Sequence, residues 1–295
     1  MSSTDLGSAP IGVFDSGIGG LSVLRALLQR LPQERFVYVA DTGHAPYGEK
    51  SIAAITERSQ RITHFLRDAC ACKALVIACN TATAVAAHTL RQAHAGWPII
   101  GIEPAIKPAA ALTRTGAVGV LATQGTLSSP KYRELRSRVV ASVNAADDAP
   151  ALAVHDVACN GLASAIEALV DAANGPVAEQ RVQALLHQYL GQLGHCGAEP
   201  GQVDTVVLGC THYPLIADRI QALLPPQVTL LDPGDRVALH TLNVLHALGQ
   251  LSPRSAVSSA HQAVHLWTSG DPDRVSQAAQ HWMHMAPLPA HPLPC

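Results

Sequence analysis

Ala74-Leu75-Val76-Ile77-Ala78-Cys79-Asn80-Thr81 decides the fold class. Five apolar residues run without a break into a thiol, and polar residues able to open a helix follow. A run this short and this continuous reads as a strand covered on both faces. The pattern returns at Thr205-Val206-Val207-Leu208-Gly209-Cys210-Thr211-His212, again with a cysteine at the strand's end. Working outward, similar runs predict strands at 11–15, 36–40, 74–79, 98–102, 117–123, 151–157, 205–210, 228–232 and 264–267. Periodic stretches lie between them. In 21–31, Leu21, Leu24, Leu27, Leu28 and Leu31 share one helical face. Residues 52–66, 132–140, 177–193, 216–224 and 237–248 read the same way. Alternating strands and helices predict an α/β protein with largely parallel sheets. A second echo, Ile11-Gly12-Val13-Phe14 against Val118-Gly119-Val120-Leu121, suggests two related halves. The stretches near 103–110 and 143–150 read as the softest, 194–202 as a loop, and 286–295, dense in proline, as a disordered tail.

Parallel sheets present ligands to the carboxyl ends of their strands. The residues expected there are Asp15-Ser16-Gly17, Asp41-Thr42, Cys79-Asn80-Thr81, Glu103-Pro104, Thr123, Cys159, Cys210-Thr211-His212 and Asp232-Pro233. Cys79 and Cys210 each end a strand and precede a helix, with Thr81 and Thr211 read as the helix caps. A thiol at a helix N-terminus has its pKa lowered, so a thiolate that can take a proton becomes accessible near neutrality. Free cysteines more often simply fill core, and that reading is kept for Cys70, Cys72 and Cys196. The shared placement of Cys79 and Cys210 reverses it. Asp15 through Gly20 is a strand-to-helix turn whose amides suit an anion, but its spacing is not the dinucleotide fingerprint. The loop 41–48 carries Tyr47 and Gly48. His212 is two residues from Cys210 and can orient or protonate a substrate group. Glu167 is equally readable as a solvated helix residue.

Other chemistries are disfavoured. The chain has 295 residues, 14% of them charged, and a net charge of −2, so neither nucleic acid nor an anionic membrane is an expected partner. There is no signal-like start and no apolar run of transmembrane length, which predicts a cytoplasmic protein. Seven cysteines without regular spacing suggest reduced thiols. No C-x-x-C spacing supports a metal, and Cys70-Ala71-Cys72 is a lone pair in a helical context. None of Lys50, Lys73, Lys107 and Lys131 ends a strand among these motifs, which argues against pyridoxal phosphate; no cofactor is expected.

Taken together, the motifs resemble those of the glutamate racemases. The matching segments are Phe14 to Gly20, Asp41 to Gly48, Ala78-Cys79-Asn80-Thr81-Ala82, Gly209-Cys210-Thr211-His212-Tyr213-Pro214, Asp232-Pro233 and Thr268-Ser269-Gly270-Asp271. The resemblance spans about 10–285. It implies two similar α/β domains, 1–102 plus 213–295 and 103–212, with the active site in the cleft between them. It also implies cofactor-independent interconversion of L- and D-glutamate, which supplies D-glutamate for peptidoglycan. Inverting Cα needs a base on one face and an acid on the other, and two thiols can exchange those roles. By the resemblance Cys79 deprotonates the D form and Cys210 the L form, with Asp15, His212 and Glu167 as auxiliaries. Asp15, Ser16, Tyr47, Gly48, Asn80, Thr81, Thr211 and His212 hold the substrate, and a homodimer is an expected assembly. The sequence departs from the family at Cys159-Asn160-Gly161, where Cys-Pro is common, just before Glu167. Aspartate or hydantoin racemisation is the near alternative; a two-domain protein that only binds a small anion is the more distant one.

Overall fold

The computed structural model describes residues 7–145, 151–171, 175–253 and 263–294. The apolar runs become strands β1 (Ile11–Asp15), β2 (Phe36–Ala40), β3 (Ala74–Ile77), β4 (Ile99–Gly101), β5 (Ala117–Ala122), β6 (Ala153–Ala158), β7 (Val203–Gly209), β8 (Thr229–Leu231), β9 (Val264–Thr268) and β10 (Ala290–Pro292). The helices used below are α1 (Leu21–Arg30), α2 (Ile52–His64), α3 (Asn80–Ala93), α4 (Ile106–Leu112), α5 (Gln124–Ser128), α6 (Pro130–Asn144), α7 (Leu162–Glu167), α8 (Gly175–Leu190), α9 (Ala217–Ala222), α10 (Gly234–Ala247) and α11 (Pro272–Met283).

The strands form two sheets, ordered β10-β9-β2-β1-β3-β4 and β6-β5-β7-β8. Each described pairing is parallel. The block β2-β1-β3-β4 of the first sheet has the strand order of the whole second sheet, which gives the echo in the sequence a topological form. In each, the chain moves from a central strand to one side and then to the other. Such a reversal opens a crevice at the strands' carboxyl ends. In the first sheet it lies beyond β1 and β3, where Asp15 and Cys79 sit. In the second it lies beyond β5 and β7, where Thr123 and Cys210 sit.

Two compact units follow from the contacts: Met1–Ile102 with Gly234–Cys295, and Glu103–Pro233. The second crossing therefore falls at 233/234, not at the expected 212/213. β8 explains the difference, because it pairs with β7 from Thr205↔Thr229 to Val207↔Leu231 and completes the second sheet. In the first unit Phe14, Val39, Ile62, Leu66, Ile77 and Leu90 share a buried cluster. In the second, Val118, Val120, Tyr132, Val139 and Val207 do so. β1, β3 and β7 are buried along their whole length, as their unbroken apolar runs require.

One expectation is refined and another fails. The stretch near 103–110 carries α4, whose Pro108 stands in the first turn, where no intrahelical N–H is needed. The tail expected to be disordered over 286–295 carries β10 instead, paired parallel to β9. Leu293 N donates to Thr268 O at 2.6 Å, Ser276 Oγ donates to Leu288 O at 2.6 Å, and Leu288 is buried. A proline such as Pro292 is compatible with an edge strand. Residue 295 and the soft residues 146–150 lie outside the described residues.

Just before the amino ends of β2 and β3, Glu34 and Lys73 form an ion pair of 2.5 Å, both side chains essentially without solvent exposure. Lys73 Nζ also donates to the carbonyls of Gly7 and Gln250, and Ser252 N and Oγ both donate to Glu34.

Candidate active site

Cys79 sits where the sequence predicts, between β3 and α3. The cap of α3 is a correction, however: Cys79 itself is the N-cap, in extended backbone, and its Sγ accepts from Ala82 N at 3.4 Å. Thr81 lies buried inside the first turn instead. An N–H of the first turn thus points at the sulfur and is placed to hold negative charge there. Ser16 Oγ lies 3.6 Å from the same sulfur and donates to Asp15 Oδ1 at 3.2 Å. Asp15 Oδ1 also accepts Gly17 N at 2.7 Å, and Tyr38 OH fixes the carbonyl of Gly17 at 2.9 Å. The turn can close this tightly because position 20 lacks a Cβ, which would come within 2.6 Å of Asp15 Cβ and 2.9 Å of Tyr38 OH. Asn80 is buried beside Cys79, and neither its amide nitrogen nor its oxygen has a hydrogen-bond partner among the described residues.

The loop 41–48 is held from within. Arg58, on α2, donates to both oxygens of Asp41, from Nε at 3.0 Å and from a terminal nitrogen at 2.7 Å. Tyr47 OH donates to Asp41 Oδ2 at 2.6 Å. Burial alone would raise the Asp41 carboxyl, but bonds from Arg58, Ser269 and Tyr47 outweigh it and hold the pKa below its usual value. Burial, together with the Asp41 and Cys79 charges, raises the Tyr47 phenol. The ring of Tyr47 is thereby a buried prop beneath the turn Tyr47–Glu49 that presents Gly48. Sequence reading missed Tyr38 and Arg58. A signal existed for Arg58: it lies between the inward positions Ile55 and Ile62 on α2, an odd place for a solvated cation.

In the second unit Cys210 follows β7, and its Sγ lies 3.6 Å from His212 Nδ1. The other ring nitrogen, Nε2, lies 2.9 Å from Glu167 Oε1. Glu167 is thus a paired residue, not a solvated one. The departure Asn160-Gly161 leaves this pairing intact: Gly161 is the N-cap of α7 in the left-handed region, at φ 74°, and α7 ends on Glu167. Thr211 does not cap a helix either, since the next helical turn, Tyr213–Ile216, starts after His212 with Pro214 in its first positions. Burial would lower the His212 pKa, but its bonds to Cys210 and Glu167 outweigh that and raise it well above the usual value. Cys159 differs: burial foremost pushes its thiol up to about 12, which suits packing and not proton abstraction.

A histidine with a raised pKa has a signed effect on stability. The contribution is full below about pH 6.5 and is lost as the pH rises through the native value. Glu167→Gln is therefore expected to lower the melting temperature more at about pH 6 than at about pH 10, as thermal denaturation at both values will read. An equal loss at both would remove the charged His212–Glu167 pair from the account.

Asp15, Ser16, Cys79, Asn80 and Thr81 thus gather at one switch point, with Tyr47 and Gly48 on a loop of the same unit. Cys210, Thr211, His212 and Glu167 gather at the other. Among the described residues, no group of three or more His, Cys, Asp or Glu is placed to hold a metal ion, and no helix is long and apolar enough to cross a membrane.

An α/β protein with a polar-flanked thiol at each of two sheet switch points is the class that fold and sites define. The family model described as Asp/Glu/Hydantoin racemase matches residues 11–240, and the chain belongs to that family. Within it, the chain is 44% identical over 271 residues to the glutamate racemase of Pseudomonas paraeruginosa, covering 92% of each chain. Among solved structures it resembles glutamate racemase isoform RacE1 of Bacillus anthracis, with a TM-score of 0.79, 29% identity and 97% of each chain covered. It also resembles the glutamate racemase of Francisella tularensis in complex with D-glutamate, with a TM-score of 0.77, 26% identity and 98% of each chain covered.

Proposed function

We propose that this chain interconverts L- and D-glutamate, with Cys79 and Cys210 as the proton-transferring pair. The observation that carries the reading is the matched pair of strand-end thiols, each beside its own polar helpers; the glutamate racemase relatives supply the substrate. Starting from D-glutamate, the Cys79 thiolate takes the α-proton and becomes a thiol. The electron pair left on Cα delocalises into the carboxylate. The Cys210 thiol then gives its proton to the opposite face, becomes a thiolate, and L-glutamate leaves. In the other direction the roles exchange. The first-turn N–H steadies charge on Cys79, and Asp15, bonded to Ser16 beside the sulfur, assists on that side. The His212–Glu167 pair does the same for Cys210.

The charged groups of the substrate need polar partners away from bulk water. Ser16, Gly48, Asn80, Thr81, Thr211 and His212 are assigned to that task, and Tyr47 to holding the loop that carries Gly48. The orphaned Asn80 amide gives this a sharp test. A buried polar group without partners costs about 1–3 kcal/mol. Asn80→Ala is therefore expected to leave the melting temperature of the free protein unchanged or raised, while kcat/KM for glutamate falls about tenfold or more. A clear loss of stability with normal kinetics would make Asn80 a structural residue.

The product serves cell-wall peptidoglycan, the compartment is the cytoplasm, and the expected assembly is a homodimer, which light scattering after gel filtration reads. The main experiment runs each glutamate enantiomer in deuterated water. Solvent deuterium at Cα of the product is required. Binding of glutamate without exchange would favour a protein that only captures a small anion. Faster turnover of aspartate or a hydantoin would favour the sibling activities.

A further inference from the structure

In the first unit, away from the carboxyl ends of the strands, Ser8, Pro10, Arg35, Cys70, His265, Trp267 and His291 contribute to the lining of a cavity of about 670 Å³. We propose that this cavity is a second ligand site, for a flat aromatic molecule that carries an acidic group. The volume lies in the range of small-molecule pockets. The floor follows from strand register. Val37 pairs with His265, two residues before Trp267 on β9, and Trp267 pairs with His291 on β10, so these side chains share one face of the sheet. The indole of Trp267 is fixed between two rings, Phe65 at 5.1 Å edge-on and His291 at 5.2 Å tilted, and it stays half-buried. A fixed, partly open aromatic face favours a stacked ring.

The walls give the charge. Arg35 donates to the carbonyl of Ser8 and makes no ion pair among the described residues. Its neighbour Glu34 is committed to Lys73 and Ser252. Among the described residues the lining holds one arginine and two histidines and no carboxylate, although the chain as a whole is slightly acidic. A guanidinium beside an aromatic floor selects a carboxylate, sulfonate or phosphate attached to a ring. β10, the strand that replaces the expected disordered tail, supplies His291 and so completes the site.

The probe is 1-naphthalenesulfonate, titrated calorimetrically into the full-length protein, with 1-naphthalenemethanol as the neutral analogue and inorganic phosphate as the ring-free one. The expected result is one site for the sulfonate, undisturbed by saturating D-glutamate, and binding at least about tenfold weaker for each analogue. Arg35→Gln is expected to weaken the sulfonate about tenfold with normal racemisation, and Trp267→Leu to weaken it comparably. Should Trp267→Leu fail to fold, His291→Ala tests the same floor. Displacement by D-glutamate, equal binding of the neutral analogue, or binding unchanged in Arg35→Gln would each overturn the proposal.

Discussion

Cys79→Ser is expected to lower racemisation of glutamate by about a thousandfold or more in both directions, since each direction needs both faces of Cα served. A serine hydroxyl keeps the shape of the site, but its pKa lies far above that of a thiol, so no base is available beside Ser16. The more telling readout is exchange without inversion. On the two-thiol proposal, the Cys210 thiolate of Cys79→Ser still takes the α-proton of L-glutamate and returns a solvent deuteron to the face it came from. L-glutamate is therefore expected to gain deuterium with its configuration retained, while D-glutamate gains almost none. Cys210→Ser should give the opposite pattern. Mass spectrometry after separation of the enantiomers reads both. Racemisation near the normal rate in either variant would sink the two-thiol assignment. Loss of exchange from both enantiomers in one variant would mean that a single thiol serves both faces.

The largest expected effect on stability lies elsewhere, at Lys73. Its ammonium and the Glu34 carboxylate are buried together. Burial depresses the Lys73 pKa despite the pull of Glu34, so desolvation outweighs attraction at this pair. Removing one partner then leaves an uncompensated buried charge. Lys73→Met is expected to cost about 3–5 kcal/mol in denaturant unfolding. Lys73→Met with Glu34→Gln should recover part of that loss, because the orphaned charge is gone while the acceptor for Ser252 N remains. If the double variant is no more stable than the single one, the cost comes from the lost donors to Gly7 and Gln250 and not from charge.

Much of this was legible in the chain because buried parallel strands write themselves as unbroken apolar runs. β1, β2, β3, β5 and β7 could be placed to within a residue or two from 11–15, 36–40, 74–79, 117–123 and 205–210. Where local signals compete, the reading was poorer. β10 hides among prolines because an edge strand needs few of its own hydrogen bonds and little apolar character. The boundary at 233/234 depends on β8 finding β7, a contact between distant parts of the chain. At the site, Cys79 and Cys210 were visible by position, but what surrounds them was not. No spacing rule says that Glu167 meets His212 across 45 residues. Nor does one say that a sulfur, and not Thr81, caps α3.

The repeated strand order of the two sheets bears on reversibility. Mirror-image amino acids have equal free energies in water, so the equilibrium ratio of the two forms is one at every pH. The ratio of the two values of kcat/KM is fixed at one by that equality, whatever the protein does. The repeated topology places a thiol at each switch point, yet the company differs: a carboxylate and a hydroxyl beside Cys79, an imidazole and a carboxylate beside Cys210. Such unlike surroundings can make the forward and reverse kcat diverge only if KM diverges by the same factor. Any pH-dependent preference for one enantiomer must therefore appear as a matched pair of changes, in turnover and in saturation.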